Sequence, residues 1–300
     1  SAIDTKAHVV STSAGVYPYG SLVLATGAGA IVPAIEGSEL IYTLNSQQEY
    51  RQCEDALAGA ERILMVGGGL IGTELAMDFN RAGKKVTVMD RSNCLLSALL
   101  PPEISARLQH HLIDRGAELL FRHELTGLSR YHDSLLATFS NGQKKIFDAV
   151  VCAIGLRPHL ALAQSAGIEV RSGIVVDDRL ATSVADIYAL GDCAEIQGKL
   201  RPYLQPATLA AMTLAKNLTG HSARLALPAM LIKVKTPDMP LHLAGNPADP
   251  SYQWEMTFSP TGIIAKGRDT EGALRAFVVR EEHKKLAFSM LKEISQPDRA

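Results

Sequence analysis

Apolar runs with strand character recur along the chain: Ser21–Ala25, Arg62–Val66, Lys85–Met89, Ala117–Phe121, Ala149–Ala153 and Ile187–Leu190. Between several of them the apolar positions fall at helical spacing. In Thr73–Ala82, Leu75, Ala76, Phe79 and Ala82 gather on one face. Pro102–Arg115 begins with Pro and Glu, which suit a first helical turn, and stops before Gly116, a good residue just past a helix end. Strands alternating with helices of this length predict βαβ units, a parallel sheet and the α/β fold class.

One stretch carries recognisable chemistry. Arg62–Val66 runs into Gly67, Gly69 and Gly72, which fit Gly-x-Gly-x-x-Gly, and then into the amphipathic helix. The next strand delivers Asp90, 18 residues after Gly72, close to the roughly 20 expected of a ribose-binding acid. Gly67 allows a tight turn, Gly69 lets the backbone approach a pyrophosphate, and Gly72 lets helix and strand pack closely. The helix N-terminus offers free N–H groups to the phosphates. Asp90 would accept the ribose hydroxyls and disfavour a 2′-phosphate, so NADH is expected over NADPH. Arg91, directly after it, acts in the opposite sense.

Three other segments belong together. Tyr19–Ala28 contains Ala25-Thr26-Gly27, Val151–Pro158 contains Ala153-Ile154-Gly155, and Asp186–Ala194 delivers Asp192 at a strand tip. This set resembles the flavoprotein reductases of the ferredoxin and rubredoxin reductase type, which have two dinucleotide-binding domains. The resemblance covers essentially the whole chain. Leu44–Tyr50, Leu75–Phe79 and Ile232–Pro237 are similar to the branch that serves nitric oxide detoxification. The resemblance implies two Rossmann-like domains, the NAD domain inserted in the FAD domain, and a small C-terminal α+β domain. It implies FAD and NADH as cofactors, with Asp192 on the ribityl chain and Ala25, Thr26, Gly27 and Gly155 near the flavin. Gln205 and Ala207 would lie at the N-terminus of a helix over Ala207–Leu218 that faces its pyrimidine end, and Glu74 beside the nicotinamide as the catalytic candidate. The implied partner is a small acidic iron protein, the rubredoxin domain of flavorubredoxin.

The family also carries a first glycine loop that holds the FAD pyrophosphate. Only 20 residues precede Ser21 and none forms such a loop. The expectation is therefore a chain that begins inside the FAD domain. Expected boundaries are 1–36 with 150–225 for the FAD domain, 37–149 for the NAD domain and 226–300 for the C-terminal domain.

Composition narrows the alternatives. The chain of 300 residues is 47% apolar and 20% charged, enough for several cores and unlike a disordered chain. A net charge of −1 and 5% aromatics argue against a nucleic-acid binder. Charge is uneven, with net +5 over 197–300 and −6 over 1–196. Lys233 and Lys235, alternating with apolar neighbours, read either as a solvated strand face or as a basic rim for an acidic partner. Cys53, Cys94, Cys152 and Cys193 show no Cys-x-x-Cys spacing, which points to free thiols and away from zinc and from the disulfide-reductase branch. His110 and His111 are adjacent on a helix and diverge by about 100°, a poor metal pair, so no metal site is expected. The most apolar stretch, 22–35, is too short to span a bilayer, and a cytoplasmic protein is expected.

The main expectation is an NADH-dependent flavoprotein reductase. A reductase of another rubredoxin or ferredoxin is the alternative enzyme. An NADH-binding module without flavin chemistry is the alternative of another class.

Overall fold

The structure is a computed structural model that describes residues 1–236, 238–260 and 262–294. Pro237, at the end of the Ile232–Pro237 segment, and the tail of the C-terminal domain lie outside the described residues. The chain divides into two compact units, one of residues 1–29 with 156–228 and one of 30–155 with 229–300.

The first unit opens with a three-stranded antiparallel meander, Ala2–Asp4, Val9–Thr12 and Gly15–Pro18. Strand Leu22–Leu24 then pairs in parallel with Ile187–Ala189, although 165 residues separate Leu22 from Ile187. Ile187, Ala189, Cys193, Ala194, Ala210 and Leu214 form its core. Helix Leu204–Leu218 packs Ala210 and Leu214 inward. Its start lies three residues ahead of the expected Ala207. Pro206 does not break the helix, because the first turn has no intrahelical partner for a backbone N–H and so tolerates proline.

The second unit holds the expected parallel sheet, in the order Ala149–Cys152, Arg62–Val66, Lys85–Asp90, Glu118–Phe121. Ile63, Leu64 and Met65 are fully buried, as befits strands covered on both faces. Helices Leu70–Arg81 and Pro102–Asp114 bury Ala76, Met77, Ile104, Leu108 and Leu112 into the same core. The first of these starts at Leu70, not Thr73, since Gly72 falls inside its opening turn. Arg62 and Asp148 fasten one end of the sheet. Their side chains meet at 2.6 Å, and Asp148 also accepts the Arg62 N–H at 2.8 Å and the Glu61 N–H at 3.1 Å.

Two antiparallel sheets complete this unit. One comprises Leu125–Tyr131, Ser134–Phe139 and Lys144–Phe147. The other has five strands, ordered Ile232–Val234, Leu241–Ala244, Leu274–Arg280, Ile263–Arg268, Gln253–Phe258, with helix Lys284–Ile294 against it. This C-terminal sheet shares a core with the nucleotide sheet. Val234, Met239, Leu241 and Val278 belong to the same buried cluster as Ile63 and Met65. Arg107 lies 4.2 Å over the Phe258 ring, a cation–π contact between the two parts. Among the described residues no helix is long and apolar enough to cross a membrane.

Candidate functional site

The glycine loop is built by close approach. Gly67 has φ 114, and a Cβ there would sit 2.5 Å from Ala153 O. Only glycine adopts that backbone at that distance without strain. At Gly72 a Cβ would lie 2.0 Å from Gly67 O, so the helix rests directly on the loop. At Gly69 nothing lies within 4 Å. That is the one glycine of the three whose missing side chain leaves open space, as a phosphate-approaching position requires.

Helix Leu70–Arg81 has no side-chain cap. Its first backbone bond runs from Thr73 N–H to Gly69 O at 2.9 Å. The amides of the first helical turn therefore lie ahead of the intrahelical ladder, the arrangement that receives an anion. Asp90 closes the site from the tip of the next strand. Its Oδ2 accepts the Gly68 N–H at 2.5 Å and its Oδ1 the Ser92 N–H at 2.6 Å. These two bonds aim the carboxylate and leave each oxygen further lone pairs for ribose hydroxyls. Gly67, Gly69, Gly72 and Asp90 are thus brought together as the sequence spacing suggested. The residues present fit a dinucleotide.

Two exposed isoleucines stand at this loop and were not singled out from the sequence. Ile71 is 54% exposed in the first helical turn, and Ile154 is 42% exposed beside Gly67. The available signal was position: Ile154 directly precedes Gly155. Gly155, with φ 120, accepts the Ile31 N–H at 2.9 Å through its carbonyl.

Glu74 is placed differently from a free catalytic group. It is the fifth residue of the helix, past the first turn, and its carboxylate accepts the backbone N–H of Lys235 at 2.6 Å. Lys233 and Lys235 are both exposed, at and just beyond strand Ile232–Val234. His110 and His111 do not converge on a metal. His111 Nε2 instead meets Asp238 at 3.4 Å beside Arg115 at 2.8 Å, and no metal-binding cluster occurs among the described residues.

The first unit carries the flavin-type residues. Ala25 and Thr26 follow strand Leu22–Leu24, and Thr26 Oγ1 donates to His159 O at 2.9 Å. Gly27 (φ 67) has open space where a Cβ would be. Asp192 lies in the short turn Gly191–Cys193, half-buried and without a hydrogen-bond partner among the described residues. Helix Leu204–Leu218 has no side-chain cap, and Leu204 is 85% exposed at its start. The expectation for its N-terminus needs one correction. The Ala207 N–H is already directed at Tyr203 O, at 3.4 Å, so the amides ahead of the ladder are those of Leu204 and Gln205. These groups fit the flavin and ribityl part of FAD. The sequence contains a single Gly-x-Gly-x-x-Gly, at 67–72, so no residue here is assigned to an FAD pyrophosphate.

The four cysteines are free. Burial pushes the Cys152 thiol up to about 11 and raises that of Cys53.

Comparison with known proteins adds the following. Residues 1–213 match the family described as pyridine nucleotide-disulphide oxidoreductase, and residues 224–294 match a rubredoxin binding C-terminal domain. A nitric oxide reductase FlRd-NAD(+) reductase of Salmonella heidelberg is 56% identical over 98% of this chain and 78% of its own length. The protein of the same name from Salmonella agona is 55% identical over the same spans. Among solved structures, a ferredoxin reductase from Rhodopseudomonas palustris aligns with TM-score 0.87 at 23% identity, over 99% of this chain and 78% of that one. Putidaredoxin reductase, in its covalent complex with putidaredoxin, aligns with TM-score 0.89 at 22% identity, over 98% and 74%.

Proposed function

The chain belongs to the pyridine nucleotide-disulphide oxidoreductase family, and we propose that it works within it as an NADH-dependent reductase of the rubredoxin centre of flavorubredoxin, in nitric oxide detoxification. The observation that carries this reading is the pairing, in one chain, of the glycine loop and Asp90 with a C-terminal domain of the rubredoxin-binding kind. The free thiols favour a cytoplasmic setting.

Gly67, Gly69 and Gly72 hold the NADH pyrophosphate against the first-turn amides, and Asp90 holds the adenosine ribose. Ala25, Thr26 and Gly27 give close passage to the flavin. Asp192 takes the ribityl hydroxyls. The amides of Leu204 and Gln205, at the positive end of a helix of 15 residues, stabilise negative charge at the pyrimidine end. Bound FAD supplies the conversion of a two-electron hydride into single electrons. Lys233 and Lys235 present positive charge to an acidic iron protein.

The test is NADH-driven reduction of a purified rubredoxin by the holoenzyme at rising ionic strength, with a ferredoxin offered in parallel. The expected result is preference for rubredoxin and a rate that falls as salt screens charge beyond about 8 Å. Changing Lys233 and Lys235 together to Ala should flatten that dependence. A preference for ferredoxin would reassign the acceptor, and a salt-independent rate would remove the docking role of the two lysines.

A further inference from the structure

Glu74, the acid expected beside the nicotinamide, accepts a hydrogen bond from the C-terminal domain through one of its carboxylate oxygens. We propose that Glu74 is a positioning residue, which holds the basic strand end carrying Lys233 and Lys235 in its docking orientation by fixing the Lys235 amide. This rests on the reading that a rubredoxin docks there.

The contact joins positions 161 residues apart, with Glu74 Oε1 accepting the Lys235 N–H at 2.6 Å. Amide bonds to a carboxylate are among the stronger ones, and half-burial of Glu74 limits their screening. Lys235 stands where the sheet stops. Val234 paired with Leu241 is the last rung between its strand and the next. Beyond that rung, two further ties hold Thr236 and Asp238. The Thr236 hydroxyl donates to Met239 O. Asp238 meets Arg115 at 2.8 Å through its carboxylate and accepts from Arg280 at 2.9 Å through its carbonyl. Asp238 is thus fastened to Arg115, the residue after helix Pro102–Asp114, and Lys235 to the nucleotide helix through Glu74.

Positions 233 and 235 lie on one face of the strand direction. A fixed amide at 235 sets the backbone from which the second lysine springs and steadies the face that carries the first. The buried neighbours of both partners reinforce this geometry. Ala76 and Met77, next along the helix from Glu74, share a core with Val234.

The experiment compares Glu74→Ala with Glu74→Gln, whose side-chain carbonyl still accepts an amide. Two readouts are taken: hydrogen–deuterium exchange of a peptide spanning 232–240, and stopped-flow association with purified rubredoxin at low salt. Glu74→Ala should speed exchange at the Lys235 amide about tenfold or more and slow association about threefold to tenfold. Glu74→Gln should retain the parent's protection and stay within about twofold of its association rate. Unchanged exchange in Glu74→Ala overturns the proposal, because the tie then carries nothing. So does faster exchange with no change in association, or a Gln variant that behaves like Ala. If association of the parent is itself independent of salt and of Lys233 and Lys235, the docking reading fails, and this proposal falls with it.

Discussion

Alanine at Gly69 and at Gly72 adds the same methyl group within one loop, and the two substitutions should fail in opposite ways. At Gly72 the new Cβ would sit 2.0 Å from Gly67 O and 2.9 Å from Gly67 C. Carbon contacts relax only near about 3.5 Å, so helix and loop must separate by roughly 1 Å. The obstructing atoms are backbone, and the loop has little room to retreat, since a Cβ at Gly67 would itself meet Ala153 O at 2.5 Å. Overpacking of this kind costs about 2–4 kcal/mol, or roughly 5–15 °C in melting temperature for a unit of this size. At Gly69 the backbone is extended, with φ −74 and ψ −169, and a methyl meets nothing within 4 Å. Stability should fall by at most about 1 kcal/mol, for a poorer residue at the helix cap. The open space in front of Gly69 is where the proposed function puts the pyrophosphate. A methyl there displaces it from one amide, worth about 1.5–3 kcal/mol when the acceptor is charged. NADH affinity should drop on the order of 10- to 100-fold. Thermal melts and NADH fluorescence titrations of both variants decide the matter. A Gly69→Ala variant that binds NADH like the parent would refute the placement of the pyrophosphate. A Gly72→Ala variant as stable as the parent would refute the closeness of the helix to the loop.

Three further outcomes are expected. Asp90→Ala should narrow the preference for NADH over NADPH by about tenfold, since like charges at a partly buried site cost about 1–3 kcal/mol; titration with both nucleotides checks it, and an unchanged ratio would assign discrimination elsewhere. The Arg62 guanidinium, with the Arg62 and Glu61 amides, holds the Asp148 carboxyl well below the usual range, so the stability it adds is complete above about pH 4, where an unfolded Asp is ionised, and drains as pH falls towards the lower folded value. Asp148→Asn should therefore cost about 1–2 kcal/mol at pH 7, a modest sum because Arg62 is 41% exposed, and the urea midpoints of variant and parent should converge in strong acid. Cys94, half-exposed, should be the first thiol labelled by a disulfide reagent at pH 8, while Cys152, pushed up to about 11 by burial, reacts only on unfolding; early labelling of Cys152 would show that its burial is not kept in solution.

What could be read from the chain was local. The strands at 62–66, 85–90, 118–121 and 149–152 fall within a residue of expectation at each end, because strands buried on both faces declare themselves as short apolar runs. The glycine loop was legible for a stricter reason. Gly67 and Gly72 answer a backbone angle or a distance that no other residue meets, and Gly69 keeps open space in front of the loop, so the motif is written as composition at fixed offsets. Both helices start three residues before the expected position, with Gly72 and Pro206, residue types that can break a helix, inside their first turns. Inside a first turn neither breaks it, since the backbone N–H that proline lacks has no intrahelical partner there. The three antiparallel strands over 125–147 and the meander over 2–18 were missed, for residue type there does not track burial: Leu135 and Leu136 are adjacent and both apolar, yet only Leu135 is buried.

The shared core of the nucleotide sheet and the C-terminal sheet was not legible at all, and it changes how the site should be understood. Nothing local marks Val234, Met239 and Leu241 as neighbours of Ile63 and Met65, because burial says that a residue is covered and not by what. The same holds for Glu74. The family resemblance placed it beside the nicotinamide, and its hydrogen bond to an amide 161 positions later, which any residue type could have supplied, went unread. A backbone donor leaves no trace in a sequence. The physical consequence is that a half-buried charge in the nucleotide helix has its strongest contact in the domain that meets the electron acceptor. A perturbation at the glycine loop that displaces helix Leu70–Arg81, as Gly72→Ala should, must then also move the Lys235 amide. Rubredoxin association in that variant should weaken together with NADH binding. In Gly69→Ala, where the helix stays in place, NADH binding should weaken alone.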